Sequence, residues 1–373
     1  MPLNPFVFDR PVSPVDLIDR DPEVRRLVAN LEGGTNTRLS SPRRYGKTSL
    51  LARVLEDVER LGMGCVYVDF YGARTTEQVH ARIERSYESQ LKGPLAKAFA
   101  AARRAAGGGG VSTPIGGVSL PAAGGATERA LLDLLDLPLR LQSRTGIRIA
   151  VAFDEFQEVL SAADAIDGLI RSVIQHHGDA ASYVFAGSHP GLMSQLFGDR
   201  GRPFYGQAAP LVLGALADDD LADYIDGRFT SSGRDPGAAL DWLLGLAEGH
   251  PQRAMLLAHL LWDALEPDEP ATEEHWERVL AHVEAFVRDE FEAAWGALAS
   301  VERGVAEAVA SADSGLTAGS TLTRFGLTKG GAPPAASRLE AAGILAVDRS
   351  RPTGYRLVDP LFARWVAAGR RWA

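Results

Sequence analysis

Ser41-Pro42-Arg43-Arg44-Tyr45-Gly46-Lys47-Thr48 lies between a short apolar segment and an amphipathic helix, and it ends in Gly-Lys-Thr. The stretch reads as a loop that wraps nucleotide phosphates. Backbone N–H groups at a helix N-terminus meet negative charge, Lys47 reaches the β and γ phosphates, and the Thr48 hydroxyl ligates Mg2+. Gly46 lets the main chain come close. Leu50, Leu51, Val54, Leu55 and Val58 recur at helical spacing and mark the buried face of the helix that opens at the loop, with Ser49 in its first turn. Ser41 stands where such loops usually begin with glycine. A residue before proline is held extended, so Ser41 is expected to finish the strand without a positive φ.

With 373 residues the chain has room for two or three domains, and 46% hydrophobic content allows each a core. It contains no apolar run of about 18 residues, and Met1 to Arg10 lacks the charged start and apolar stretch of a signal peptide, so a cytoplasmic protein without a membrane segment is expected. The lone Cys65 sits in the apolar run Cys65-Val66-Tyr67-Val68 and reads as a buried strand thiol. His176 and His177 have neither thiolates nor a His-Glu-x-x-His helix beside them, which argues against zinc. The net charge of −9 excludes a surface that coats nucleic acid nonspecifically. Charge is uneven, however: from Trp295 onward there are ten Lys/Arg against six Asp/Glu, a mildly basic region after an acidic body.

Residues 1–213 alternate short β-like runs with helical segments, the pattern of a parallel sheet covered on both faces, and so an α/β domain. Strands are expected over Thr37–Ser40, Cys65–Phe70, Arg148–Phe153, Tyr183–Ala186 and Leu211–Leu213. The Gly-rich stretch 105–126 reads as a flexible surface insertion, or alternatively as a hairpin over Val111–Leu120. Residues 214–296 read as helix throughout, a bundle appended to the sheet. In 297–373, helices over Val301–Ala310, Ser320–Phe325 and Ala335–Ala342 precede strands over Ile344–Asp348 and Tyr355–Val358. Three helices and then a hairpin spell a winged helix, closed by a helix over Pro360–Arg371.

The apolar run Ile147 to Phe153 ends in Asp154-Glu155. Ligands in open α/β sheets bind at the carboxyl ends of strands, so this run supplies what the phosphate loop lacks. Asp154 is suited to hold Mg2+ through water, and Glu155 to polarise the water that attacks the γ-phosphate. Another strand ends at Ser188, whose hydroxyl either reaches the γ-phosphate or the water, or caps the helix after Pro190. Asp69 ends the second strand on the same edge and stands as a more distant supporting group.

Together these stretches resemble the archaeal-type AAA+ ATPases, relatives of the STAND NTPases and of the Cdc6/Orc1 replication ATPases. The likeness rests on Ile18-Asp19-Arg20-Asp21 with Glu23, the loop from Ser41 to Leu50, Phe153-Asp154-Glu155-Phe156-Gln157, and Phe185-Ala186-Gly187-Ser188. Arg202-Pro203-Phe204-Tyr205-Gly206, Gly249-His250-Pro251 and the segment from Val358 to Trp365 complete it, covering nearly the whole chain in the family's order. The resemblance implies a P-loop NTPase sheet with a helical lid and a C-terminal winged helix, and ATP with Mg2+ as ligands. It makes Ser41 to Ser49 the Walker A loop, Asp154 and Glu155 Walker B, and Ser188 the sensor 1 position. It sets His250 and Pro251 toward the adenine or sugar and makes Arg253 a sensor 2 candidate. An arginine finger is expected in cis or from a neighbouring subunit of a homo-oligomer, with Arg202 first and Arg200 next.

The winged helix suggests double-stranded DNA as partner, with Arg338 on the third helix and Arg349 or Arg351 on the wing meeting bases or phosphates. A protein-contacting module that packs on the ATPase core is the rival reading. Function divides likewise between an ATPase that drives rearrangement on a partner and a nucleotide-loaded switch with slow turnover; Glu155 favours the ATPase.

Overall fold

The computed structural model describes residues 3–107, 126–163 and 165–371. Five strands, β1 (Thr37–Ser40), β2 (Gly64–Asp69), β3 (Ile149–Asp154), β4 (Ala181–Gly187) and β5 (Ala209–Val212), form one parallel sheet in the order β2-β3-β4-β1-β5. Around it lie α1 (Asp21–Glu32), α2 (Lys47–Arg60), α3 (Thr76–Gln90), α4 (Gly93–Gly107), α5 (Ala126–Leu135), α6 (Leu137–Thr145), α7 (Ile166–Ile174) and α8 (Pro190–Gly198). The expected insertion at 105–126 differs at its ends, because α4 carries residues 105–107 and α5 begins at Ala126; the rest, with the alternative hairpin over Val111–Leu120, lies outside the described residues.

Burial explains why the central strands read as unbroken apolar runs. β3 and β4 are buried at every position, as strands covered on both faces must be. Side-chain alternation then divides the core. Ala150, Ala152, Val184 and Ala186 face α1 and α2, and Val151, Phe153, Tyr183 and Phe185 join the opposite core with Phe156, Phe197 and Phe204. The edge strand β5 is short, and Pro210 sits in it, where a missing N–H is tolerated.

Four helices follow: α9 (Asp218–Ser231), α10 (Ala239–Ala247), α11 (Pro251–Ala264) and α12 (Glu273–Ala297). Then come α13 (Ser300–Ser311), α14 (Gly319–Arg324), α15 (Ala332–Ala341), an antiparallel hairpin of β6 (Leu345–Val347) and β7 (Tyr355–Leu357), and α16 (Pro360–Ala367). α15 starts earlier than its apolar spacing predicts. Pro333 and Pro334 fall in its first turn, where no intrahelical N–H bond is lost. α16 stops short of Arg371 because Gly369 takes a left-handed φ of 69°.

One apolar core runs through α9–α12 and on into the winged helix. Phe291 of α12 meets Phe362 and Trp365 of α16 at ring-centroid distances of 5.2 and 5.9 Å, and Phe6 of the N-terminal arm meets Phe229 of α9 at 4.9 Å. A shared core predicts shared cooperativity. Phe291→Ala should remove about 3–5 kcal/mol, and tryptophan-detected urea unfolding should show the lid and the winged helix lost in one transition.

Candidate functional site

Ser41 is fully buried, and its N–H donates to the Gly187 carbonyl at 3.2 Å, so pairing with β4 continues past Ser40. The loop makes its turn further on, with Arg44 at φ 67° and Gly46 at φ 84°. Gly46 is there because L side chains rarely tolerate that φ. The helix that follows opens with unsatisfied donors: Leu50 is the first to donate, to the Gly46 carbonyl at 2.9 Å, and among the described residues the N–H groups of Gly46, Lys47, Thr48 and Ser49 reach no backbone carbonyl. Those orphan amides and the helix dipole favour an anion.

Lys47 is only 6% exposed, and its Nζ lies 2.5 Å from Asp154 Oδ1 and 2.5 Å from Glu155 Oε1. Asp154 Oδ2 accepts from Thr48 Oγ1 at 3.2 Å and from the Tyr67 hydroxyl at 2.8 Å. Burial, reinforced by the Asp154 charge, pushes the Tyr67 phenol up, so it remains a donor. Glu155 has a left-handed backbone, φ 49° and ψ 41°, a strained state for a non-glycine residue. Its Oε2 accepts from Ser188 Oγ at 2.6 Å and Gln157 Nε2 at 2.5 Å. Burial works to raise its pKa, but the Lys47 ammonium and the bonds from Lys47, Ser188 and Gln157 hold it at about 2.

A cavity of about 420 Å³ opens over these groups, within the range of roughly 300–1,000 Å³ common for small-molecule sites. Residues 42–49, Glu155 and Ser188 give it a charged end, and Val7, Phe8, Pro11, Leu216, Tyr224 and Met255 give it apolar walls. The N-terminal arm is tied down where Val12 N–H donates to Ser49 Oγ at 3.0 Å. Nothing in the sequence around Val7 to Val12 signals this wall, since the segment has no periodicity and its neighbours come from remote parts of the chain.

Other expected site residues sit elsewhere. Pro251 lines the cavity, whereas His250 is buried behind it with its ring 4.8 Å from that of Tyr45. Arg253 is 1% exposed and does not line the cavity; it donates to Asp359 from Nε at 3.0 Å and pairs with Glu290 at 3.4 Å. Asp359 accepts at the same time from the N–H groups of Leu361 and Phe362, capping α16. Glu290 also holds Arg44 at 2.6 Å, so an ion-pair chain runs from the loop after β1 to the winged helix. Arg202 pairs with Asp167 at 3.4 Å, and neither it nor Arg200 lines the cavity. Asp69 stands opposite Asp154 in the sheet, but its carboxylate accepts from Tyr71 N–H.

The winged helix touches this site directly. Tyr45 donates its hydroxyl to the Val358 carbonyl at 3.2 Å, and a Cβ on Gly191 of α8 would lie 2.3 Å from Ala341 Cα of α15. Arg338 is paired with Glu302 at 2.8 Å and Arg351 with Glu248 at 2.9 Å.

This sheet order, with a loop after β1 that runs into a lysine-led helix and two acids at the end of β3, is the fold of the AAA+ P-loop ATPases. Along nearly its whole length the chain is similar to solved structures from archaea. The Walker-type ATPase of Pyrococcus abyssi shares 18% identity over 96% of this chain and 98% of its own, with a TM-score of 0.69. The ORC2 protein of Aeropyrum pernix in its ADPNP–ADP complexes shares 18% over 97% of this chain and 95% of its own, with a TM-score of 0.59. Neither a protein-family model nor a curated protein matches the sequence.

Burial lowers the His250 pKa from its ordinary 6.5 to about 4, and it likewise takes His177 to about 4. The unfolded chain therefore binds protons at a pH where the folded chain does not, so stability should fall as pH drops from 6.5 toward 4. Urea unfolding across that range should show the slope, and His250→Asn, whose side-chain oxygen can still accept the Arg253 N–H, should make it shallower.

Proposed function

We propose that this chain is a Mg2+-dependent ATPase whose turnover is coupled to rearrangement of the lid and winged helix. The observation that carries the reading is the meeting of Lys47, Thr48 and Glu155 at a helix N-terminus on one cavity wall, with Asp154 buried directly behind them and bonded to both Lys47 and Thr48. Lys47, now between two acids, would turn to the β and γ phosphates, and the free amides of residues 46–49 would bind their oxygens. The apolar walls suit a purine base. Among the described residues no three His, Cys, Asp or Glu side chains form a metal cage, but an ion on a triphosphate takes many of its ligands from phosphate and water. Thr48 and Asp154, hard oxygen donors 3.2 Å apart, would hold Mg2+, which would neutralise charge on the transferring phosphoryl group.

For hydrolysis, water attacks the γ-phosphorus, the bond to the β–γ bridging oxygen breaks, ADP leaves, and Glu155 takes the proton from the water. Ser188, bonded to Glu155 Oε2, supports that acid rather than capping α8. Arg202, outside its own chain's cavity, is assigned to a neighbouring copy's site in a homo-oligomer. Of the two readings of the winged helix, a module packed on the ATPase core is favoured by the close approach of Ala341 to Gly191 and by the pairing of Arg338 and Arg351. Binding of double-stranded DNA would require those arginines to exchange partners.

Purified protein should hydrolyse ATP with Mg2+. Lys47→Ala should lose nucleotide binding, and Glu155→Gln should bind but turn over about 10²–10⁴-fold more slowly; wild-type turnover no faster than Glu155→Gln would remove the enzyme reading. In fluorescence anisotropy with duplex DNA, weak binding confined to low salt is expected, and tight binding at moderate salt would reverse the choice made for the winged helix.

A further inference from the structure

Gln157 is 2% exposed, and its Nε2 donates to Glu155 Oε2 at 2.5 Å and meets His189 Nδ1 at 3.1 Å. Its Oε1 is buried with no hydrogen-bond partner among the described residues. Buried amides in a merely structural role are ordinarily satisfied at both ends, so the open oxygen calls for an explanation. The neighbouring backbone makes room for this side chain. A Cβ on Gly187 would lie 2.4 Å from Gln157 Oε1 and 2.5 Å from Met193 Sδ, although Gly187 is not at a positive φ. Glycine at the end of β4 is thus a matter of space, and the space is filled by Gln157 and Met193.

The donors around Glu155 are unequally shared. Oε2 accepts from Gln157, from Ser188 Oγ at 2.6 Å and from Ser188 N–H at 3.3 Å, whereas Oε1 accepts only from Lys47 among the described residues. When Lys47 turns to phosphate, Oε1 loses its donor and Oε2 keeps three. We propose that Gln157, oriented by His189, is a positioning residue that ties down Oε2 of Glu155 and leaves Oε1 as the oxygen that takes the proton from water. This rests on the reading of Glu155 as the water-activating acid. The role requires His189 Nδ1 to accept, which the neutral Nε2–H tautomer allows; burial, with Arg43 next, lowers the His189 pKa and so favours the neutral ring.

The test is steady-state hydrolysis of Mg-ATP by wild type, Gln157→Met, His189→Leu, His189→Asn and Glu155→Gln. Gln157→Met keeps the volume and removes the donor; kcat should fall about tenfold with KM within about twofold, because orientation of the base is felt in the transition state and not in nucleotide binding. His189→Leu should lower kcat in the same way, and His189→Asn, which offers an oxygen where Nδ1 stands, should recover most of that loss. The histidine pair carries the test if Gln157→Met fails to fold, since His189 is only half-buried. Unchanged kcat in Gln157→Met, equal loss in His189→Leu and His189→Asn, or a rise in KM matching the fall in kcat would each overturn the proposal. Wild type no faster than Glu155→Gln would instead overturn the reading of Glu155 itself, and the role of Gln157 with it.

Discussion

A lysine ammonium almost out of contact with water has to be neutralised, and Lys47 is neutralised twice, by Asp154 and by Glu155. That requirement joins the loop after β1 to the end of β3 across an intervening strand. Because β4 is that strand, Ser188 at its end falls beside Glu155. The three groups therefore share a site by sheet order and not by nearness in the chain. In the proposed ATPase, a phosphate-bearing ligand with its Mg2+ would meet the same electrostatic demand, giving Lys47 another anion and the acids another cation.

The same loop is held from the other side. Tyr45 precedes Gly46-Lys47, yet its ring lies against His250 and its hydroxyl on the Val358 carbonyl. Arg44 is bound to Glu290, which also pairs with Arg253, and Arg253 in turn fixes the aspartate that caps α16. A buried cation of this kind is costly to leave unpaired, so these charges constrain one another strongly. Helices α9–α12 and the winged helix also share one apolar core, so a displacement at the tip of the loop after β1 meets a single packed body and not a loosely tethered module.

Much of the architecture was legible because its signals are local. Short apolar runs marked β1 to β5, helical spacing marked α2 and the helical stretch that holds α9–α12, and two paired β-like runs marked the β6–β7 hairpin. Where the reading slipped, chain chemistry explains it: prolines in the first turn of α15 look like breakers but remove no bond, and Gly369 ends α16 before its apolar pattern is exhausted. Arg253 and His250 were expected to face the ligand only through the family resemblance. Their actual partners, Asp359 and Tyr45, lie 106 residues further on and in the phosphate loop, beyond the reach of local pattern.

By itself, then, the sequence determined the kinds of groups present: a lysine and hydroxyl at a helix start, two acids at a strand end, and alternation that makes sheet, bundle and winged helix. Residue type and short-range spacing carry that information because backbone geometry repeats every few residues. The tertiary structure decided which groups meet. Strand order placed β4 between β1 and β3, the missing side chain at Gly187 admitted Gln157 to Glu155, and the N-terminal arm became a cavity wall. Those outcomes depend on packing between segments far apart in the chain, which no local period records.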